Sequence, residues 1–467
     1  KYGSGEANIR GRVSCTLTTS SACDKMAAIG PDPPAEEFNH IAEEDFRPTK
    51  QEVSATFDVT RVVSIEPPPN GGWVAWSQVL GGHIITFFTW GFITSFGMFQ
   101  AHYTSIGLST PSNISWIGAL TVFLLLSVPL WSGAASDTGH FKLVLRMGIG
   151  LWLVGIFMTS ICKEYWQFVL AQGFCIGLAN GCMFVPMVSV ISTYFDATKR
   201  SFAISITLCG SGTGGLVIPI MLNRLIDRIG FGWAVRTLGF MALVMLLIAE
   251  RLLKKRLPPK SSVKMLEPSE LKDPVFDLFI LGSVFCFAGL WFAFFYINAF
   301  ARRTLSMTLE ESIPLLLVLN GVGIPGRLLP AYIADHYCRP LTISLIVSFV
   351  TALLLYCWAA INSTAGMYAF AALYGLFAAA LQAMFPATLA DLTLDNKKIG
   401  TRMGMGFALS SFGCLIGGPG GGALVEAGNG SYLYGQVLAG SCGVLGFTCF
   451  LTAALIHKKK AKQLDDV

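Results

Sequence analysis

From residue 67 onward, long apolar runs alternate with short polar segments. No Asp, Glu, Lys or Arg lies between Glu66 and Asp137, and none between Arg339 and Asp391. Each gap is long enough for two helical spans of about 20 residues, the length that crosses a bilayer's hydrocarbon core. Backbone amides in that core must be satisfied internally, so the spans are helices or a closed barrel. Barrel strands alternate apolar and polar residues over about 10 positions, whereas stretches such as Thr121–Leu130 are apolar on every side. The pattern therefore predicts an all-α integral membrane protein of twelve transmembrane helices in two six-helix halves. The helices fall near 75–100, 114–135, 143–161, 166–192, 203–223 and 233–252, then near 275–300, 312–334, 341–361, 366–390, 403–426 and 433–456. Residues 1–69 are expected to be a disordered cytosolic tail, being rich in Pro, Ser, Thr and acidic residues. The halves are 70–252 and 275–456, joined by a basic linker at 253–274 and followed by a basic cytosolic tail at 457–467.

Composition sharpens this picture. Of 467 residues, 53% are hydrophobic and only 13% charged, against about 25% charged in soluble domains, and no soluble catalytic domain remains to be placed. The net charge of +5 lies in loops and gives no nucleic-acid footprint. The twelve cysteines show no metal spacing and no disulfide framework, so no metal and no cofactor is expected. Residues 1–60 lack a leading apolar core, so no cleavable signal peptide is expected, and Met26 fits a native start with residues 1–25 upstream of it. With both termini cytosolic, inside loops hold nineteen Lys and Arg and outside loops six, the bias that sets orientation. The plasma membrane is the expected location.

The two halves repeat. Pro129–Asp137 (PLWSGAASD) at the end of helix 2 is echoed by Arg327–Asp335 (RLLPAYIAD) at the end of helix 8, and Gly210–Gly215 in helix 5 by Gly413–Gly422 in helix 11. Repeats of this kind place the substrate site at their interface near mid-membrane. Gly133-Ala-Ala-Ser-Asp137 resembles the loop signature of the major facilitator superfamily, with Thr138 where a basic residue is usual. Asn70-Gly-Gly-Trp73-Val-Ala-Trp76 opens helix 1, and Tyr194-Phe195, Lys199-Arg200 and Gly210-Ser211 span the entry to helix 5. With Gly404-Met-Gly406 opening helix 11, they resemble the signatures of the monocarboxylate porter family, particularly its fungal branch, over roughly 68–456. Asn70 stands where that family has an acid.

The resemblance implies a secondary carrier that works by alternating access on a small organic solute, with protons as a candidate coupling ion. It also points to Arg327 in helix 8 as the residue that binds a substrate carboxylate, which a planar guanidinium suits. The alternative is that Arg327 snorkels to the nearby interface. Two family features are missing: the helix 1 lysine aligns near Thr94, and the helix 8 aspartate one turn before the arginine is Gly323. Proton dependence is accordingly expected to be weaker than in lactate carriers.

His83, Asn180, Asn298, Asn320 and Gln382 are further candidates for lining the cavity, with interhelical hydrogen bonding as the other role open to each. Trp90, Phe294, Phe295 and Tyr374 are candidates for an apolar pocket wall. Gly133, Asp137, Asp335, Lys199, Arg200, Gly210, Gly214 and Gly215 are the candidate motif and gating residues. The last three are expected to pack helix 5 against the opposite half, and Gly418-Pro419-Gly420-Gly421-Gly422 to form a flexible break. Gly210-Ser-Gly212-Thr-Gly214-Gly215 also matches a dinucleotide fingerprint, which needs a preceding strand and has none here. The alternatives are a drug or sugar carrier of the same superfamily, a non-transporting nutrient sensor, and a polytopic membrane enzyme. The last is disfavoured by six scattered histidines and no DxxD or HxxxD run.

Overall fold

The computed structural model describes residues 67–258, 272–393 and 399–465, and every regular element among them is a helix. Residues 1–66 of the expected tail, and Lys260 and Lys264 of the linker, lie outside the described residues. Before the linker run α1 (Gly72–Thr94), α2 (Phe96–Ser105), α3 (Pro111–Ser127), α4 (Pro129–Ala135), α5 (Phe141–Thr159), α6 (Tyr165–Phe168), α7 (Ile176–Ser192), α8 (Ala197–Leu208) and α9 (Gly210–Leu252). After it run α10 (Pro274–Thr304), α11 (Leu309–His336), α12 (Pro340–Trp358), α13 (Thr364–Asp391), α14 (Ile399–Ala427) and α15 (Leu433–Asp465). Nine described helical segments are long and apolar enough to cross a membrane, and the bent pair α1–α2 makes a tenth.

Local chemistry sets where these helices start and bend. Pro111, Pro274 and Pro340 occupy first turns, where the missing N–H costs nothing. Thr308 and Glu311 form a capping box at the start of α11, and Ser363 caps α13 through the Gly366 amide. The 41° bend between α1 and α2 falls at Ser95. There Ser95 Oγ and Thr94 Oγ1 both donate to the Gly91 carbonyl, at 2.7 and 3.1 Å, and such back-bonding bends helices.

Two segments depart from the expected boundaries. Pro111–Thr159 runs 49 residues and Phe202–Leu252 runs 51 with little or no intervening loop. Each turns at a single left-handed glycine, Gly139 (φ 106°) in the π-turn Ser136–His140 and Gly230 (φ 76°) in α9. The loop expected between 223 and 233 is therefore replaced by one residue in a conformation open to glycine. The expected tail at 457–467 is a helical extension of α15 as far as Asp465. Gly418–Gly422 does not break its helix, which continues through Pro419 to Ala427.

Packing follows the glycines. A methyl placed on Gly214 would fall 2.4 Å from the Phe87 carbonyl oxygen and 2.9 Å from Gly91 Cα, and one on Gly210 would fall 2.2 Å from the His83 oxygen. These residues pack α9 against α1 on the same side of the linker, not against the opposite half as expected. The contacts across to the later helices come from Gly212, against Ile324, and Gly215, against Asn320. Gly413 and Gly417 in turn seat α14 on the Val284 and Ala288 carbonyls of α10. Small residues that let backbones touch are the main source of helix adhesion where lipid removes the hydrophobic drive.

Leucine at position 214 has room only if α1 and α9 separate, and overpacking of this kind costs about 1–3 kcal/mol or more. Gly215→Ala displaces only the end of the Asn320 side chain. Fluorescence-detected size-exclusion should show a sharp loss of monodisperse protein for Gly214→Leu and near-normal yield for Gly215→Ala. Equal yields would disprove the α1–α9 backbone contact.

Candidate functional site

Helices from before and after the linker meet along a seam, and the hydrogen bonds across it cluster at one end among the described residues. The Ser112 amide donates to Glu426 Oε1 at 3.1 Å and Ser112 Oγ to the Pro419 carbonyl at 3.1 Å. Tyr296 Oη donates to the Pro111 carbonyl at 3.2 Å. Glu426 thereby takes an amide in the first turn of α3, where a negative charge is favoured. This is the far end of the bundle, opposite Asn70 and Asp273. Phe96 meets Phe295 edge-on just inside it, with ring centroids 5.2 Å apart.

Arg327 lies deeper along the seam. It is 5% exposed, and its Nη1 donates to the Gly323 carbonyl at 3.0 Å. One turn before Arg327, Ile324 meets Gly212 of α9 across the seam. Among the described residues no carboxylate is within ion-pair distance of the guanidinium. A charge within a span costs about 2.5–3.5 kcal/mol even on the mildest scales unless something compensates it. Gly323 explains why the position stays uncompensated: a methyl there would sit 2.9 Å from Arg327 Nη1. An acidic side chain at 323 would thus lie directly against the guanidinium.

The remaining candidates divide by their bonding. His83 has both ring nitrogens engaged, Nδ1 with the Ile206 carbonyl and Nε2 with Thr213 Oγ1, each at 3.0 Å. It ties α1 to α8 and α9. Asn320 donates to Leu316 at 3.0 Å and, across the seam, to the Gly215 carbonyl at 3.4 Å. Asn180 and Asn298 are buried, and both side-chain polar atoms of each lack a hydrogen-bond partner among the described residues, as does Gln382 Nε2. Such groups are costly in a dry interior and suit ligand recognition.

The residues of the loop motifs gather at the end where α1 begins. Asn70 Nδ2 donates to Asp196, the Asn70 amide to the Tyr194 carbonyl at 3.0 Å, and Lys199 Nζ to the Asn70 carbonyl at 3.4 Å. Trp76 packs edge-on against Phe195, centroids 5.5 Å apart. The helix 1 and helix 5 signatures are therefore one structural unit. Arg200 Nε donates to the Phe195 carbonyl at 3.4 Å. The start of the linker is fastened to the same unit: Tyr194 Oη donates to the Lys254 carbonyl, Arg256 to the Thr193 carbonyl, and Lys255 Nζ to the Ser136 and Asp137 carbonyls. Gly133 does not create the close approach expected of it, because a methyl there would meet nothing nearer than 3.9 Å. Gly181 of α7 does, its methyl position lying 2.5 Å from Val128. Asp335 falls in the last turns of α11, and its side chain is outside the described set.

The later helices carry a counterpart of this clasp that the sequence did not single out. Asp273, just before α10, accepts from Arg402 Nη2 of α14 at 2.9 Å and from Lys460 Nζ at 3.2 Å. Arg402 also donates to the Leu392 carbonyl and lies over the Phe276 ring. Burial alone would raise the Asp273 carboxyl, but the bonds from Arg402, Lys460 and the Val275 amide outweigh it and hold it below the usual range. Only pairing across 129 residues makes this site, so local spacing gave no signal for it.

A family model described as Major Facilitator Superfamily matches residues 78–356. The chain belongs to the Major Facilitator Superfamily. It is 40% identical over 398 residues to an MFS-type transporter of Gibberella zeae, covering 85% of this chain and 90% of that one. It is 38% identical over 375 residues to the MFS-type transporter dbaD of Emericella nidulans, covering 79% and 84%. It is 33% identical over 389 residues to the aspyridones efflux protein apdF of the same fungus, covering 82% and 79%. All three are named for transport and none as an enzyme. A multi-pass chain of this superfamily carries small-molecule solutes across a membrane.

Two outcomes test the electrostatics. Gly323→Asp should pair with Arg327 and stabilise the purified protein by about 1.5–3 kcal/mol relative to Gly323→Asn. Equal melting temperatures for the two variants would mean that Arg327 is already compensated. At the clasp, the folded Asp273 carboxyl is depressed, so its stabilisation is present above the ordinary aspartate value of about 3.9 and is lost as pH falls through the folded one. Asp273→Asn should therefore melt below wild type at pH 7, and the gap should close on acidification. A gap that does not change with pH would assign the effect to packing.

Proposed function

We propose that this protein is a twelve-helix secondary carrier that exports a small organic solute bearing a carboxylate, by alternating access between two six-helix halves. The twelve-helix reading takes α1–α2 as one span and divides each of the two long segments at its left-handed glycine. The halves are then α1–α9 and α10–α15, and both termini face the cytosol of a plasma-membrane protein. The observation that carries the solute class is Arg327: buried on the seam, bonded to a carbonyl of its own helix, and beside a glycine where a carboxylate would otherwise neutralise it. The export direction draws on the relative named as an efflux protein. The unit that joins Asn70 to Tyr194–Lys199 supports placing the chain near the monocarboxylate porters, because both signatures of that family meet in it. With no lysine in α1 and Gly323 in α11, proton coupling is weaker than in the lactate carriers.

The test is export from proteoliposomes loaded with a panel of organic acids and neutral metabolites, read by mass spectrometry. Wild-type protein should release one or more acids. Arg327→Ala and Arg327→Lys should both cut that release to about one-tenth or less, since a point charge does not replace the planar fork. An imposed pH gradient should change the wild-type rate only modestly. Full release by Arg327→Ala would remove the anchor. Release of neutral solutes alone would favour the drug or sugar carrier, and release of nothing would favour a sensor.

A further inference from the structure

We infer that the solute carries a flat conjugated ring system, gripped between Trp90 of α1 and Trp291 of α10, with its anionic group at Arg327, further toward the opposite end; this rests on the carrier reading above. The two indoles come from opposite sides of the linker and stack across the seam, centroids 6.2 Å apart and planes within 16° of parallel. Two successive ring contacts need about 7 Å. A flat ring between the indoles needs their planes that far apart, so parting the two helix sets admits it and closing the sets grips it. Trp90 keeps partial exposure although its ring neighbours, Phe184 and Trp291, both lie inside the bundle.

Polar groups without partners accompany the pair. Trp90 Nε1 and both amide atoms of Asn180 lack hydrogen bonds among the described residues, and Asn180 is fully buried. Asn180 is one turn before Phe184, so the two share a face of α7, and Phe184 meets Trp90 edge-on at 5.5 Å. An indole donor and a primary amide suit carbonyl or hydroxyl groups on the rim of a conjugated ring. The far side is shut by Phe96 against Phe295, so the ring is a stop below the closed end.

The spacing to Arg327 follows from helix contacts. Gly91, next to Trp90, touches Gly214, and Gly215 touches Asn320, so Trp90 and Asn320 lie at a similar depth. Arg327 follows Asn320 by seven residues, but its guanidinium reaches back to Gly323, so the charge lies about 5 Å further along the helix toward the opposite end. A solute filling both sites is longer than lactate and amphipathic, with a ring at one end and an anion at the other.

The test measures saturable binding to purified full-length protein in nanodiscs, using 1-pyrenebutyrate, 1-pyrenebutanol and decanoate as probes. Trp90→Leu and Trp291→Leu should each weaken both pyrene compounds about threefold to tenfold and leave decanoate unchanged. Trp90→Phe should recover most of the affinity, which separates stacking from a folding defect. Arg327→Ala should weaken 1-pyrenebutyrate and decanoate but not 1-pyrenebutanol. Pyrene binding that is absent, or unchanged by both leucine variants, overturns the aromatic grip. If the tryptophan effects hold while Arg327→Ala leaves 1-pyrenebutyrate unchanged, the grip stands and the anchor fails.

Discussion

The contact between Glu426 and the first turn of α3 governs what the rest of the molecule presents. It joins helices from either side of the linker at one end, and the Tyr296–Pro111 and Ser112–Pro419 bonds lie beside it. A carboxylate on a helix N-terminus is a modest, breakable interaction, which suits a closure that must open in every cycle. Backbone-close glycine packing behaves differently. Its tightest contacts bind α1 to α9 and α10 to α14 on one side of the linker each time, while Gly212 against Asn320 and Gly422 against Ser112 make looser ones across it. A seam fastened in part by such exchangeable bonds suits rigid-body rocking.

Arg327 gives that seam its chemical character. A buried guanidinium whose one bonded partner among the described residues is a carbonyl is a state the fold must sustain at a cost, and Gly323 removes the obvious local remedy. A bound anion would then stabilise the seam electrostatically as well as sterically, linking occupancy to the choice of state.

Membrane crossing made much of this architecture legible in advance. Length, apolarity and the spacing of basic residues are imposed by the bilayer, so the helices fell close to their expected places. What stayed hidden depended on single residues or on distant pairs. Gly139 and Gly230 turn the chain in one residue where polar loops were expected. The Ser95 bend arises from two hydroxyls that read as ordinary apolar-run residues. Gly210 and Gly214 were legible as close-packing residues but not the helix they pack against, because a glycine carries no mark of its partner. The Asp273–Arg402 and Asn70–Asp196 clasps join residues more than a hundred positions apart. For His83 the sequence left cavity lining and interhelical bonding both open, and the structure bonds both its ring nitrogens between helices.

The central claim is that the two helix sets rock about a site on the seam. Double electron–electron resonance on spin labels at positions 109 and 429, across the far end, and 138 and 337, across the other, measures this directly. The account predicts two populations in which one distance lengthens as the other shortens, with solute shifting the balance between them. A single fixed distance for both pairs under all conditions would contradict it.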